Sequence, residues 1–148
     1  MTKLLLALLA TATLALAADP FPGAWKLNLE KSKLGPQGPE RRKGEVLTIE
    51  AAGKDKYQIT LRVPNDKDAG VEGKIWIVDG KEHEQAFPNG GAGTMKVERI
   101  GELHLRTTTK AKSSQTALVY DWAVAEDGAT LIATQADRPD RQFVYDKR

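Results

Sequence analysis

The side chains best suited to binding chemistry in this sequence are aromatic rings at alternating positions of apolar segments. Tyr120 and Trp122 lie two residues apart, Phe143 and Tyr145 do the same, and Trp76 occupies a third such segment. Residues two apart on a β-strand point to the same face of the sheet. Apolar surfaces with a few indole or phenol groups are typical of small-molecule pockets. We therefore predict that these five residues bind a ligand, the alternative being that they fill a solid core.

Arg106 is a candidate polar anchor for the same ligand. It shares a strand face with His104 and Thr108, opposite to Leu105. If that face points inward, the arginine is an anchor inside an apolar cup. If it points outward, the arginine is solvated surface. We include Arg106 in the predicted ligand site.

The patterns needed for catalysis or metal binding are not found. His83 lies between Glu82 and Glu84, so on a strand the histidine and the carboxylates point to opposite faces and form no local metal site. The glycine-rich run 90–93 lacks the lysine and following helix of a phosphate loop. No nucleophile elbow surrounds the serines of the mature chain, which are Ser32, Ser113, Ser114. We predict a non-enzyme without metal or cofactor, although carboxylate pairs from distant strands stay open as an alternative.

Residues 1–17 have the pattern of a secretory signal peptide. Lys3 precedes a run of leucine and alanine that ends in Ala15-Leu16-Ala17, a small-x-small cleavage site. A membrane anchor needs about 20 apolar residues, and Asp19-Pro20 interrupts the run before that length. We predict cleavage before Ala18, no membrane span after cleavage, a single domain over 18–148, and a secreted or periplasmic location.

The composition of the mature chain excludes several partner classes. Removing residues 1–17 takes away only Lys3, so 21 basic and 20 acidic residues remain, a net charge of +1. Nucleic-acid binding needs a basic stripe, so we predict no nucleic-acid partner. The chain contains no cysteine, and its fold must therefore be stabilised by burial and hydrogen bonds.

The elements that must position the aromatic residues are short strands. The first predicted strand is 24–29, and a Lys/Gly/Pro-rich surface loop follows over 30–44. After this loop, apolar and polar residues alternate in nine further segments that are separated by turn residues. Asp79-Gly80 is a strong two-residue hairpin signal. No segment beyond residue 17 has helical periodicity. This pattern predicts an all-β antiparallel meander that closes into a barrel of eight to ten strands, with a two-sheet sandwich as the alternative.

The two ends of the mature chain resemble a known group of proteins. The run Phe-x-Gly-x-Trp-x-Leu-Asn over 21–28, the Lys-Ser-Lys at 31–33 and the Phe-Val-Tyr-Asp-Lys at 143–147 resemble small secreted bacterial β-barrel proteins of lipocalin-like, calycin type. The resemblance implies that Trp25 plugs the closed end of the barrel. It also implies that a basic residue near the last strand, Arg141 or Arg148, packs over its indole.

Fatty-acid-binding calycins hold the ligand carboxylate with an Arg-x-Tyr pair on the last strand. Phe143 stands where that arginine would precede Tyr145. Arg141 lies two residues earlier on the same predicted face, and the resemblance makes it a candidate for a shifted anchor. The residues and the resemblance together predict an exported protein that binds a small apolar or amphipathic ligand. The alternative is a structural or protein-interaction module of the cell envelope with a filled barrel, and the protein partner is left open.

Overall fold

The computed structural model describes residues 18–36, 38–64, 71–87 and 91–148, without the side chains of residues 71 and 72. The predicted signal peptide 1–17 lies outside the described residues, as do residues 65–70 and 88–90 of the predicted turns at 64–70 and 88–93. The described part contains one short helix and ten strands. They are β1 Gly23–Leu27, α1 Gly38–Arg42, β2 Val46–Ala51, β3 Lys56–Arg62, β4 Val71–Ile77, β5 Glu82–Ala86, β6 Ala92–Gly101, β7 His104–Ala111, β8 Leu118–Val124, β9 Thr130–Gln135 and β10 Arg138–Lys147.

The ten strands form one sheet in the order β4-β3-β2-β1-β10-β9-β8-β7-β6-β5. Each strand is antiparallel to its neighbours, and the first and last strands pair, with Trp25 opposite Lys147. The sheet curls until its two edges approach, where Val78 forms a parallel bridge with Val97. The predicted all-β meander and barrel are therefore confirmed, as a nearly closed barrel.

The strands follow the alternation of the sequence. On β2 and β3 the side chains of Leu47, Ile49, Tyr57 and Ile59 are buried, while the residues between them are more exposed. Inward apolar residues alternate with outward polar ones because successive side chains of a strand point to opposite faces. The barrel interior is consequently the hydrophobic core of the protein.

The predicted hairpin at Asp79-Gly80 is wrong, although the turn itself is present. Gly80 has φ 70°, and Asp79 Oδ1 accepts a hydrogen bond of 2.9 Å from the amide of Lys81. The strands on either side, β4 and β5, do not pair with each other. The turn is bonded to other segments instead. The amide of Val78 donates a hydrogen bond to Asp55 O at 2.8 Å, and the amide of Gly80 donates one to Val97 O at 3.0 Å. The gap in the barrel therefore lies between these two consecutive strands.

The region 30–44, predicted as a surface loop, contains the helix α1. Glu40 lies in its first turn and Arg41 and Arg42 in its last, which is the charge order that the helix dipole favours. The helix ends where the amide of Glu45 donates to Arg42 O at 3.0 Å. This short helix determines where Arg42 and Glu45 lie relative to the barrel.

The closed end of the barrel is built around Trp25, which is fully buried. Its Nε1 donates a hydrogen bond of 3.0 Å to Phe21 O. The cation over the indole is Lys147, whose Nζ lies 5.0 Å from the ring, so the expectation of Arg141 or Arg148 is corrected. The reason is register: Lys147 is the residue directly opposite Trp25 on β10, and cross-strand partners share a face.

A polar cluster fixes the segment before β1 to this closed end. The hydroxyl of Tyr57 donates to Asp19 Oδ2 and accepts a hydrogen bond of 2.8 Å from Arg99 Nη2. The guanidinium of Arg99 also lies 5.6 Å from the ring centre of Phe21. Burial and the neighbouring Asp19 carboxylate raise the pKa of Tyr57 to about 12, so the hydroxyl stays protonated and able to donate at neutral pH.

Candidate ligand cavity

The barrel encloses a cavity of about 710 Å³ that opens to solvent. This volume lies within the usual range for small-molecule sites, roughly 300–1,000 Å³. Its wall is mainly apolar and comes from many strands, including Leu47 of β2, Ile59 of β3, Met95 of β6 and Leu118 of β8. The barrel is therefore hollow at this end, and the aromatic residues do not fill it.

The five aromatic residues predicted to bind ligand all line this cavity. Four of them form a row of adjacent rings. Trp76 meets Trp122 edge-on at 5.1 Å between ring centres, Trp122 lies 6.1 Å from Tyr120, and Tyr120 lies 6.1 Å from Phe143. The row crosses from β4 to β8 and on to β10. A ligand in the cavity would contact a continuous aromatic surface.

Small and polar neighbours shape this row. Ala133 on β9 pairs with Trp122 on one side and Phe143 on the other, and its small side chain leaves room for both rings. The indole of Trp122 donates a hydrogen bond of 3.0 Å to Thr107 Oγ1. The Nε1 of Trp76 is buried and has no hydrogen-bond partner. An unpaired buried donor costs free energy, and a ligand acceptor at this wall would remove that cost.

A buried carboxylate lies at the other end of the row. Glu45 is fully buried and lines the cavity. Its Oε1 accepts a hydrogen bond of 2.7 Å from the hydroxyl of Tyr145 and a longer one of 3.4 Å from Arg42 Nη1. Burial, followed by the nearby Glu45 carboxylate, raises the pKa of Tyr145 well above its usual value. Tyr145 therefore acts as a permanent donor to Glu45.

Arg42 completes this polar group from the helix α1. Its Nη1 lies 3.3 Å from Glu45 Oε2, and its guanidinium lies 4.4 Å from the ring centre of Phe143. The side chain is 37% exposed, so it bridges the cavity wall and solvent. Arg42 and Glu45 were missed from the sequence. The alternation of the sequence could have indicated Glu45, because it shares a strand face with the core residues Leu47 and Ile49.

Comparison with solved structures identifies the fold. The apo form of lipid binding protein 8 from Caenorhabditis elegans is similar with a TM-score of 0.62 at 13% identity, covering 89% of this chain and 98% of the other. Fatty-acid-binding protein 1 of Echinococcus granulosus gives 0.61 at 15% identity, covering 86% and 97%. The fatty acid binding protein of Schistosoma mansoni, in complex with arachidonic acid, gives 0.57 at 20% identity, covering 87% and 96%.

The chain has the fold of the fatty-acid-binding proteins. This confirms the calycin-type barrel that the ends of the sequence predict. No protein-family model matches the sequence, and no curated protein is similar to it. The similarity is therefore one of architecture, and the chemistry of the site has to be inferred from the residues of this chain.

Arg106 does not line the cavity of this fatty-acid-binding-protein fold. Its Nε and Nη2 donate to the two carboxylate oxygens of Asp121 at 2.7 and 3.2 Å. Leu105 and Thr107, its neighbours on β7, are buried and point inward, so Arg106 lies on the outer face. Arg106 is therefore a solvated surface residue and not an anchor inside the cavity.

Arg141 also lies away from the cavity wall. Its predicted alignment with Phe143 assumed unbroken alternation along the last strand. The pairing of β10 with β9 shifts register between Arg138 and Gln142, and such an irregularity changes the direction of the side chains within it. The side chain of Arg141 is partly buried, and its Nε has no hydrogen-bond partner.

Within the described residues, no three histidine, cysteine or carboxylate side chains cluster closely enough to hold a metal ion. His83 instead lies 2.9 Å from Asp79 Oδ2. In the same part of the chain, no helix has the length and apolarity required to cross a membrane.

Proposed function

We propose that this protein is an exported carrier that binds one small apolar or amphipathic molecule inside its barrel. The observation that carries the proposal is the hollow interior of about 710 Å³, whose mainly apolar wall includes the aromatic row. Removing a hydrocarbon chain from water into such a cavity is favourable, at about 0.8 kcal/mol per buried CH₂ group. The similar structures named above are lipid or fatty-acid-binding proteins, which supports the same role.

Export is the part of this proposal that rests on the sequence alone. The leucine- and alanine-rich run before Ala18 supports a signal peptide. The intact mass of the protein recovered from the periplasm or the medium should correspond to a chain that starts at Ala18. Recovery of the chain only in the cytoplasm, with Met1 retained, would contradict export.

The alternative function, a filled structural or interaction module, is less well supported. A solid barrel would gain packing energy from its interior side chains, whereas several aromatic side chains of this interior line a cavity.

Ligand binding can be tested with N-phenyl-1-naphthylamine, an uncharged probe that becomes fluorescent in apolar surroundings. We expect saturable binding at one site per chain. Thr109 lines the cavity and Thr108, next to it on β7, does not. Thr109→Trp should therefore weaken probe binding by about tenfold or more, a change of about 1.4 kcal/mol, because the larger ring occupies ligand space.

Thr108→Trp is the matched control and should leave the dissociation constant within about twofold, well under 1 kcal/mol. Circular dichroism of both variants establishes that each is folded. Absence of saturable probe binding by the unaltered protein would refute the proposal. So would an equal loss of affinity in the two variants, since the probe would then be bound elsewhere.

A further inference from the structure

The buried carboxylate in the cavity wall has an acceptor that the protein does not use. Glu45 Oε2 is buried and accepts no hydrogen bond. Arg42 Nη1 forms an ion pair with this oxygen at 3.3 Å, and its hydrogen bond goes to Oε1 at 3.4 Å. A carboxylate has about four acceptor positions, and leaving a buried charged acceptor unsatisfied is costly. This oxygen is therefore a position where a ligand would gain by donating a hydrogen bond.

The charges beside Glu45 discriminate against anionic ligands, whereas Lys74, the other cation in the described cavity wall, lies on β4 two residues from Trp76. The positive charge of Arg42 is already paired with Glu45, so the pair offers little net attraction to an incoming anion. A ligand carboxylate at this position would place its oxygens beside those of Glu45 and would have no hydrogen bond to donate to them. Like charges in a site removed from water repel strongly, and the hydroxyl of Tyr145 is already committed to Glu45.

Glu45 is fully buried, so a ligand head group reaches its carboxylate only when a neighbouring side chain moves. Arg42, its closest cationic neighbour, is 37% exposed and is carried by a helix of only five residues. A rotamer change of this long side chain opens the carboxylate, and the incoming head group compensates by donating to it, because a buried charge left unpaired is costly. The ring of Phe143, which lies beneath Arg42, would continue the contact along the apolar body of the ligand.

We infer that the ligand carries a hydrogen-bond-donating head group, a hydroxyl or an ammonium, that binds Glu45, and that the Glu45 end of the cavity disfavours carboxylates. This inference rests on the proposed function and specifies its ligand class. The inferred ligand class differs from that of the structurally similar proteins whose names specify fatty acids. The determinant is one residue, Glu45, placed among apolar neighbours on the inward face that leads into β2.

Competition against N-phenyl-1-naphthylamine with four ligands of equal chain length tests the inference on the unaltered protein. Dodecanol and dodecylammonium have donors, dodecyl methyl ether has none, and dodecanoate is anionic. At pH 7.5, at least one donor ligand should displace the probe at about one tenth of the concentration that the ether and dodecanoate require, because a site built around a hydrogen bond rejects analogues that lack it. The stronger of the two donors identifies the head group.

Glu45→Gln is expected to reduce the preference for donor over carboxylate by about tenfold, since the amide can itself donate to an anion. Glu50→Gln, at an exposed position of β2, the strand that follows Glu45, should leave the preference unchanged. If the unaltered protein binds the probe but the ether or dodecanoate competes as well as both donors, the head-group inference is overturned and the carrier function stands. If the probe does not bind to the unaltered protein, the carrier function and the head-group inference are both overturned.

Discussion

Replacing Trp25 by alanine is expected to lower the free energy of unfolding by about 3–5 kcal/mol. The side chain is fully buried at the closed end of the barrel, so truncation leaves a large cavity there. It also removes the hydrogen bond to Phe21 O and the contact with Lys147. Guanidinium denaturation followed by circular dichroism measures the loss.

Trp25→Phe is the matched control, because it keeps an aromatic ring in the same place. We expect a smaller loss, about half that of alanine, since part of the burial is retained while the indole hydrogen bond is lost. The position of Trp25 away from the cavity further predicts that the phenylalanine variant binds the probe as the unaltered protein does. An unfolding free energy unchanged by Trp25→Ala would contradict the assignment of this residue as the barrel plug.

Replacing Gly93 by alanine is expected to destabilise the protein by about 3 kcal/mol, the upper end for overpacking. A Cβ atom at this position would lie 2.1 Å from Lys110 O and 2.9 Å from Ala111 Cα. Both atoms belong to the backbone of β7, which pairs with Gly93, so no side-chain rotation relieves the overlap. The two strands would have to separate near the cavity mouth, where Phe87 lies 2.7 Å from the same Cβ position.

Gly101→Ala provides the comparison on the same strand. The nearest atom to a Cβ there is His104 Cβ at 3.6 Å, an ordinary van der Waals distance. We expect its melting temperature to stay close to that of the unaltered protein. Equal melting temperatures for the two alanine variants would show that β6 and β7 do not approach as closely at Gly93 as the structure describes.

The strands and the aromatic site were predictable because both depend on local alternation. Tyr120 and Trp122 share a face by spacing alone, and the same holds for Phe143 and Tyr145. Burial requires that face to point inward once the sheet closes. The meander was predictable for a related reason, since turn residues separate nearly every pair of strands.

The parts that escaped prediction depend on contacts between distant segments. Arg42 joins the cavity because its guanidinium reaches from α1 to the ring of Phe143, and no local pattern specifies that approach. Arg141 was assigned inward because a register shift in β10 cannot be read from alternation. The gap between β4 and β5 arises from the bridge between Val78 and Val97, which likewise overrides the local turn signal.

The most direct test of ligand binding inside the barrel is isotope-filtered nuclear Overhauser spectroscopy of the ¹³C-labelled protein with unlabelled dodecanol. Binding in the cavity predicts cross-peaks from the chain methylenes to the rings of Tyr120 and Trp122, which line it. Cross-peaks confined to exposed apolar side chains of the outer surface, Ile75 and Ile100, would contradict a carrier function.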